Sequence, residues 1–217
     1  MRESFMCRTL ILLFLLSFNY CSIIAEEKVQ ASDYQKSLKL ITQLYNSGKY
    51  SESEKKIKTL INQELSKDNL NNEHLTHLYF LLGRNLIYQR DKAALDPLEK
   101  CLHYSSKIKK DQDKFFNKYL NYDFYTFLSL AYNWNNYPNK SLKYAKLAYE
   151  HTLRAKKNNS PELIKSTFAL AVAYRLCKDK KNAIKYGEKT LALFEQHPMF
   201  ENNIPRIKKM LVKWKKE

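Results

Sequence analysis

Hydrophobic and polar positions follow a helical period along most of the chain, and four windows repeat one pattern. Each window begins with a leucine, continues with a small or apolar residue, and has leucine or tyrosine about one turn later. After a polar break comes a small residue, followed by apolar or small residues four and seven positions on, which lie on one helix face. The pattern predicts helix, tight turn, helix as the repeated unit. The windows are 40–61, 82–102, 128–148 and 170–191.

Small residues begin the second helix of each predicted unit, where they let two helix backbones approach closely. They are spaced by 41, 47 and 42 residues, and the second unit is one residue shorter between Gly83 and its small residue. The turn of the first unit contains Gly48, which takes a left-handed conformation without steric cost. We expect the other units to make the same turn with another residue there. The small residues are Ser53, Ala94, Ser141 and Ala183, and the expected turn residues are Arg90, Asn136 and Lys178.

Serine marks three predicted helix starts. Ser32 and Ser51 are each followed three residues later by Gln or Glu, and Ser160 is followed by Pro161 in the first turn. The pattern predicts N-caps at all three serines.

In this order the four windows resemble the tetratricopeptide repeat (TPR) family, whose pattern is Leu-Gly, then Tyr, then Gly-x-Tyr, then spaced Ala, Phe and Ala. The resemblance covers roughly 34–195, in a long-repeat variant, since the usual unit is about 34 residues. It implies an all-α fold: a right-handed α-solenoid of about four helical hairpins with a C-terminal capping helix. Within a repeat domain at 32–198, the hairpins are predicted near 34–66, 73–108, 113–156 and 161–196. The matching residues are Leu44, Gly48, Tyr50, Leu82, Gly83, Leu128, Tyr132, Leu170, Ala171 and Tyr174.

Residues 1–25 have the layout of a signal peptide. Two arginines precede an apolar run of about a dozen residues, and Ala25 stands before an acidic stretch. The run is too short for a comfortable membrane span. We therefore expect cleavage after Ala25 and an exported bacterial protein, in the periplasm, at the cell envelope or secreted. The alternative is lipidation at Cys21, although Tyr20 stands where lipoprotein signals have a small residue.

Residues 204–217 are predicted to form a basic amphipathic helix. Its apolar side chains lie toward one side, and lysines occupy the other. A closing helix of this kind covers the apolar edge of a final repeat, which is the preferred interpretation. The alternative is contact with an anionic lipid surface, because lysine opposite tryptophan suits a membrane interface. The apolar residues are Ile207, Met210, Leu211 and Trp214.

Composition and motifs narrow the function classes. The net charge of +16 comes from diffuse lysines without a recognition motif, so a specific nucleic-acid role is not expected. No phosphate loop, nucleophile elbow or His-Glu-x-x-His motif is present, and we predict no enzyme activity and no cofactor. His74 and His77 share a helix face but lack a third ligand, so no metal is expected. Cys101 and Cys177 are interpreted as free thiols rather than a disulfide.

The resemblance implies a concave groove, lined by the first helix of each hairpin, that binds a peptide segment or a partner helix. The groove contains both aromatic and basic side chains. This composition favours, as the bound partner, an acidic protein segment or one with a free carboxylate. Most rings in 115–134 are expected in the core, with Tyr88 and Trp134 exposed. Carried over by offset from the Leu-Gly site, the groove residues are Gln35, Tyr45, Asn46, His77, Phe80, Arg84, Tyr88, Asp123, Thr126, Asn133, Trp134, Lys165 and Arg175.

The mass and N-terminal residue of the mature protein test the interpretation of the leader. We expect an N-terminus at Glu26, because Ala25 is the small residue that ends the leader pattern. Intact-mass spectrometry of protein purified from the producing cells measures this directly. A lipid-modified Cys21 at the N-terminus would contradict it.

Overall fold

The computed structural model describes residues 33–108, 123–155 and 160–217, and only the backbone of Phe200. The predicted signal peptide, Cys21 and the predicted cap Ser32 lie outside the described residues. All regular secondary structure in the described ranges is helical. The predicted all-α fold is therefore confirmed.

The described helices form four successive pairs and a final helix. Hairpin 1 is α1 with α2, hairpin 2 is α3 with α4, hairpin 3 is α5 with α6, and hairpin 4 is α7 with α8. The chain divides into two compact units, 1–56 and 57–217, and their boundary falls inside α2. The bounds are α1 33–46, α2 Tyr50–Leu65, α3 Asn72–Tyr88, a 3-10 turn Lys92–Ala94, α4 Leu95–Ser105, α5 Asp123–Trp134, α6 Pro138–Arg154, α7 Pro161–Leu176, α8 Lys180–Glu195, a 3-10 stretch Pro198–Asn203, and α9 Ile204–Lys216.

One turn motif closes the first helix of every hairpin. After α1, the Gly48 amide donates to the Tyr45 carbonyl at 3.0 Å and the Lys49 amide donates to the Leu44 carbonyl at 2.9 Å. This pair of bonds is the Schellman motif, which satisfies carbonyls at a helix end and needs a left-handed residue. The other three turns contain the same two hydrogen bonds, at 2.9–3.0 Å. The donating amides are those of Arg90 and Asp91 in hairpin 2, Asn136 and Tyr137 in hairpin 3, and Lys178 and Asp179 in hairpin 4.

The left-handed position of these turns is occupied as predicted. Gly48 has φ +73°, and the other three residues have φ between 59° and 62° although each carries a side chain. An ordinary residue in this conformation costs about 1–2 kcal/mol, so the surrounding packing must impose the turn. The expectation that Arg90, Asn136 and Lys178 take the place of Gly48 is confirmed.

The paired helices of hairpins 2 and 3 approach each other closely. In hairpin 3, the Ser129 and Ser141 hydroxyls each donate to the other residue's carbonyl, at 2.9 and 3.1 Å. In hairpin 2, a Cβ on Gly83 would lie 2.5 Å from Cγ of buried Leu98, so a side chain there would force Leu98 or one of the helices to move. All four predicted small residues, Ser53, Ala94, Ser141 and Ala183, are fully buried.

The shorter second hairpin starts its second helix with a 3-10 turn. Asp91 caps this turn by accepting the Ala93 amide at 2.9 Å, and Ala94 ends it in the core. A 3-10 helix rises about 2.0 Å per residue against about 1.5 Å in an α-helix, so three of its residues span about the length of four. The 3-10 turn thus makes up the length of the missing residue.

In unit 57–217, consecutive helices pack in chain order. Each hairpin packs internally, α6 packs on α7, and the first helices α3, α5 and α7 also contact one another in sequence. Phe80 meets Phe124 and Phe127 with ring centroids 6.1 and 6.2 Å apart, which joins α3 to α5. Hairpins 2 to 4 therefore form a solenoid-like series within this unit.

The C-terminal helix α9 packs on α8, as its predicted capping role requires. A Cβ on Gly187 of α8 would lie 2.7 Å from Leu211 and 3.3 Å from Trp214. Ile207, Leu211 and Trp214 are all buried, in one cluster with Leu193 of α8. The apolar side of α9 is thus used inside the fold.

Two predicted helix caps have different outcomes. The Ser160 side chain accepts the Leu163 amide at 3.2 Å and starts α7, which confirms that cap. The cap predicted at Ser51 is wrong, because α2 already begins at Tyr50. The Schellman turn fixes the path of the chain through Lys49, so the second helix starts directly after it.

Replacing Gly48 tests the turn of hairpin 1. No atom lies within 4 Å of a Cβ built there, so the effect of a side chain is a backbone effect alone. We expect Gly48→Val to lower the free energy of unfolding by about 1–2 kcal/mol, since β-branched residues rarely adopt positive φ. Gly48→Asn is the matched control, because asparagine tolerates this conformation. Equal losses for both variants, measured by urea denaturation, would refute the backbone explanation.

Candidate partner-binding surface

In unit 57–217, predicted groove residues recur at fixed distances before the left-handed turn residues. His77, Asp123 and Lys165 each stand thirteen residues before Arg90, Asn136 and Lys178 respectively. Equal offsets on aligned first helices place side chains in rows across α3, α5 and α7. We call this surface the first-helix face; its predicted members are His77, Arg84, Tyr88, Asp123, Asn133, Trp134, Lys165 and Arg175.

The row farthest from the turns contains an ion pair between hairpins. Lys165 Nζ of α7 lies 3.3 Å from Asp123 Oδ2 of α5, and both side chains are partly shielded from solvent. The structure thus brings together two residues that were predicted separately. Because their charges oppose each other, this end of the face adds little net charge.

His77, in the same row, is held neutral. Burial is the main cause that lowers its pKa from 6.5 to about 4, and the positive charge of Arg84 and then His74 lowers it further. The unfolded chain binds a proton here more readily than the folded one. The contribution of neutral His77 to the free energy of unfolding is therefore fully present above pH 6.5 and is lost as the pH falls towards 4.

The middle row, six residues before each turn, is mainly apolar. Arg84 occupies it in α3, but Leu130 in α5 and Val172 in α7 take the same place, and all three are half-buried. Of these three residues, only Arg84 was predicted from the sequence. The offset that placed Arg84 also marks the other two, so the signal was available in the chain.

The row beside the turns carries the aromatic and basic groups. Tyr88 is 44% exposed, as predicted, with its ring edge-on to Phe127 at 6.0 Å. Trp134 and Asn133 are half-buried, so Trp134 is less exposed than expected. Arg175 pairs with the Glu217 side chain beyond α9, which brings a carboxylate to this edge of the face.

Two predicted groove residues belong to the core instead. Phe80 is 3% exposed and packs against two phenylalanines of α5, and Thr126 is also 3% exposed. Their position lies between α3, α5 and α7, which pack closely enough to enclose it. The predicted members Gln35, Tyr45 and Asn46 lie in unit 1–56, where Tyr45 meets Tyr50 edge-on at 5.5 Å.

The described residues contain no group of three or more His, Cys, Asp or Glu side chains arranged to hold a metal ion. Both described cysteines are free, as predicted. Burial raises the pKa of Cys101 well above its usual range and also raises that of Cys177, so both remain thiols. Among the described helices, none has the length and apolar character needed to cross a membrane.

An opening of about 460 Å³, which was not predicted from the sequence, lies beside the turn of hairpin 2. Leu82, Leu86 and Pro97 supply its apolar wall, and Asn135 of the next hairpin borders it while donating to the Lys92 carbonyl at 3.0 Å. It is widely open to solvent and separate from the rows of the first-helix face.

Comparisons with known proteins bear on the fold. No protein-family model matches the chain, and no curated protein matches it. Among solved structures, the chain is similar to the crystal structure of BtubC (BKLC) from P. vanneervenii, with a TM-score of 0.57 and 16% sequence identity. The match covers 82% of this chain and 72% of that one. At this identity the similarity concerns the fold, and function must be argued from the site.

Proposed function

We propose that the protein is a non-catalytic, TPR-like binding scaffold that holds a segment of a partner protein on its first-helix face. The observation that carries the proposal is the row arrangement across three consecutive first helices, with a middle row that is apolar in α5 and α7 between polar and aromatic edges. A segment lying across α3, α5 and α7 would place apolar side chains on Leu130 and Val172. Its polar groups would reach the edges.

Aromatic and arginine side chains supply the anchors in this proposal. Tyr88 and Trp134 stand at the same offset before their turns and have accessible surface. Such residues dominate interface energies because they bury a large area at small entropic cost. We infer that these two rings flank the bound segment.

Charge favours a partner segment with a carboxylate near the turns. Arg175 already holds one carboxylate, that of Glu217, and arginine pairs with carboxylates through two parallel donors. The Asp123–Lys165 pair cancels its own charge at the opposite edge. An acidic residue of the partner would therefore bind at the Arg175 edge in place of Glu217.

Export remains part of the proposal, on the leader pattern of residues 1–25. The alternative function is an envelope adaptor held at a membrane by lipidated Cys21 or by the basic C-terminal helix. Insertion of the apolar side of that helix would require Trp214 and Leu211 to leave their contacts with Gly187. This version of the alternative is therefore disfavoured.

Substitution of Trp134 tests the binding proposal. The probes are peptides selected by phage display on the wild-type protein, and the dissociation constant is measured by fluorescence anisotropy. We expect Trp134→Ala to weaken binding at least about 30-fold, the effect of losing an interface anchor of about 2 kcal/mol. Circular dichroism and thermal melting verify that the variant is folded.

Tyr137→Ala is the control. Tyr137 is an exposed aromatic residue in the turn that follows α5, and it is not on the first-helix face. Its binding should stay within about twofold of wild type, since peripheral contacts contribute little. If both variants bind equally well, the first-helix face is not the binding site.

A further inference from the structure

Three tyrosine rings from α6, α7 and α8 form one contiguous cluster on the second-helix side of hairpins 3 and 4. Tyr174 and Tyr186 stack with centroids 5.5 Å apart and planes 13° from parallel. Tyr149 meets Tyr186 edge-on at 5.6 Å. The cluster joins two successive hairpins and packs against Ala145, Leu170 and Ala173.

Each of these three rings has a lysine ammonium group beside it. Lys146 Nζ lies 5.8 Å from the centroid of Tyr174 and Lys185 Nζ lies 5.6 Å from that of Tyr186. Lys189 Nζ donates to the Tyr149 hydroxyl oxygen at 2.5 Å and lies 5.0 Å from the ring centroid, so it sits at the hydroxyl end of that ring. Cation–π attraction holds these flexible side chains along the surface. With Lys143, one turn before Lys146 on α6, we call this surface the lysine–tyrosine face.

The four lysines of this face outnumber the three carboxylates on its border, one of which, Asp179, acts electrostatically on Lys146. Within the described residues, none of its four lysines forms an ion pair, and all four are exposed. The bordering carboxylates are already engaged. Glu150 pairs with Arg154 at 3.8 Å, Glu188 pairs with Lys215 at 2.7 Å, and Asp179 Oδ1 accepts the Asn182 amide at 3.0 Å.

The cluster is unsuited to stacking on nucleic-acid bases. Single-stranded nucleic acids bind where aromatic faces are open to successive bases. Here Tyr174 and Tyr186 stack on each other, and Lys146 and Lys185 lie over their rings. Ammonium groups in a layer above amphipathic rings instead complement an extended negative surface.

We propose that the lysine–tyrosine face docks on an anionic phospholipid surface. Each lysine near such a surface adds favourable electrostatic energy, and tyrosine suits the headgroup region. Binding is peripheral, since the apolar side of α9 is buried and no described helix crosses a membrane. The face lies mainly on the second helices α6 and α8, so the first helices stay available to a partner.

Vesicle co-sedimentation of the full chain tests this docking. The probes are phosphatidylcholine vesicles with and without phosphatidylserine, at about 0.1 M salt, where screening is moderate. We expect binding only to the anionic vesicles. Combined Lys143→Gln, Lys146→Gln, Lys185→Gln and Lys189→Gln should weaken it at least about 100-fold, at roughly fivefold per lysine.

The matched control is combined Lys36→Gln, Lys39→Gln, Lys55→Gln and Lys58→Gln. It removes the same net charge from exposed positions of hairpin 1 and should change binding by less than about fivefold, since only charges near the lipid contribute. Changing the four lysines of the face to arginine keeps their charge and should preserve binding.

Three results would overturn the docking proposal. Equal losses in the glutamine variant and its control would assign binding to net charge alone. Unchanged binding of the glutamine variant would place the lipid contact elsewhere. Tighter binding of single-stranded DNA than of anionic vesicles, lost in the same variant, would identify a nucleic-acid surface. None of these results depends on peptide binding by the first-helix face.

Discussion

A left-handed residue at the end of the first helix is the constraint on which every hairpin depends. It lets two hydrogen bonds close the helix and reverses the chain within three residues. The second helix then starts in a register that brings small residues against the first, as with Ser141 against Ser129. Three hairpins hold this conformation without glycine, so their packing must exceed its cost.

Local features of the fold could be predicted from the sequence because short-range sterics decide them. Gly48 marks one turn, and the repeat spacing gives the other three, at Asn136, which tolerates the left-handed conformation, and at Arg90 and Lys178, which carry no such signal. The small residues were recognisable because close helix approach excludes larger side chains. The 3-10 start of the shorter hairpin was not predicted, since it follows from fitting one residue fewer between fixed neighbours.

The candidate site was harder to predict because exposure depends on how far apart the first helices pack. Phe80 shares a helix with Tyr88, but only Tyr88 reaches solvent. The position of a residue in the repeat does not distinguish a buried residue from an exposed one. The packing of α3 against α5 buries Phe80 and leaves Tyr88 exposed. The ion pair of Asp123 with Lys165 likewise depends on side chains 42 residues apart meeting across hairpins.

The turn constraint is tested most directly by giving glycine to a hairpin that lacks it. We predict that Lys178→Gly raises the free energy of unfolding by about 0.5–1 kcal/mol, because relief of the left-handed strain exceeds the entropy that glycine adds to the unfolded chain. Ala192→Gly, at an exposed position within α8, should instead lower it by about 1 kcal/mol. If urea denaturation shows Lys178→Gly destabilising the protein as much as Ala192→Gly does, the account of the repeated turn is contradicted.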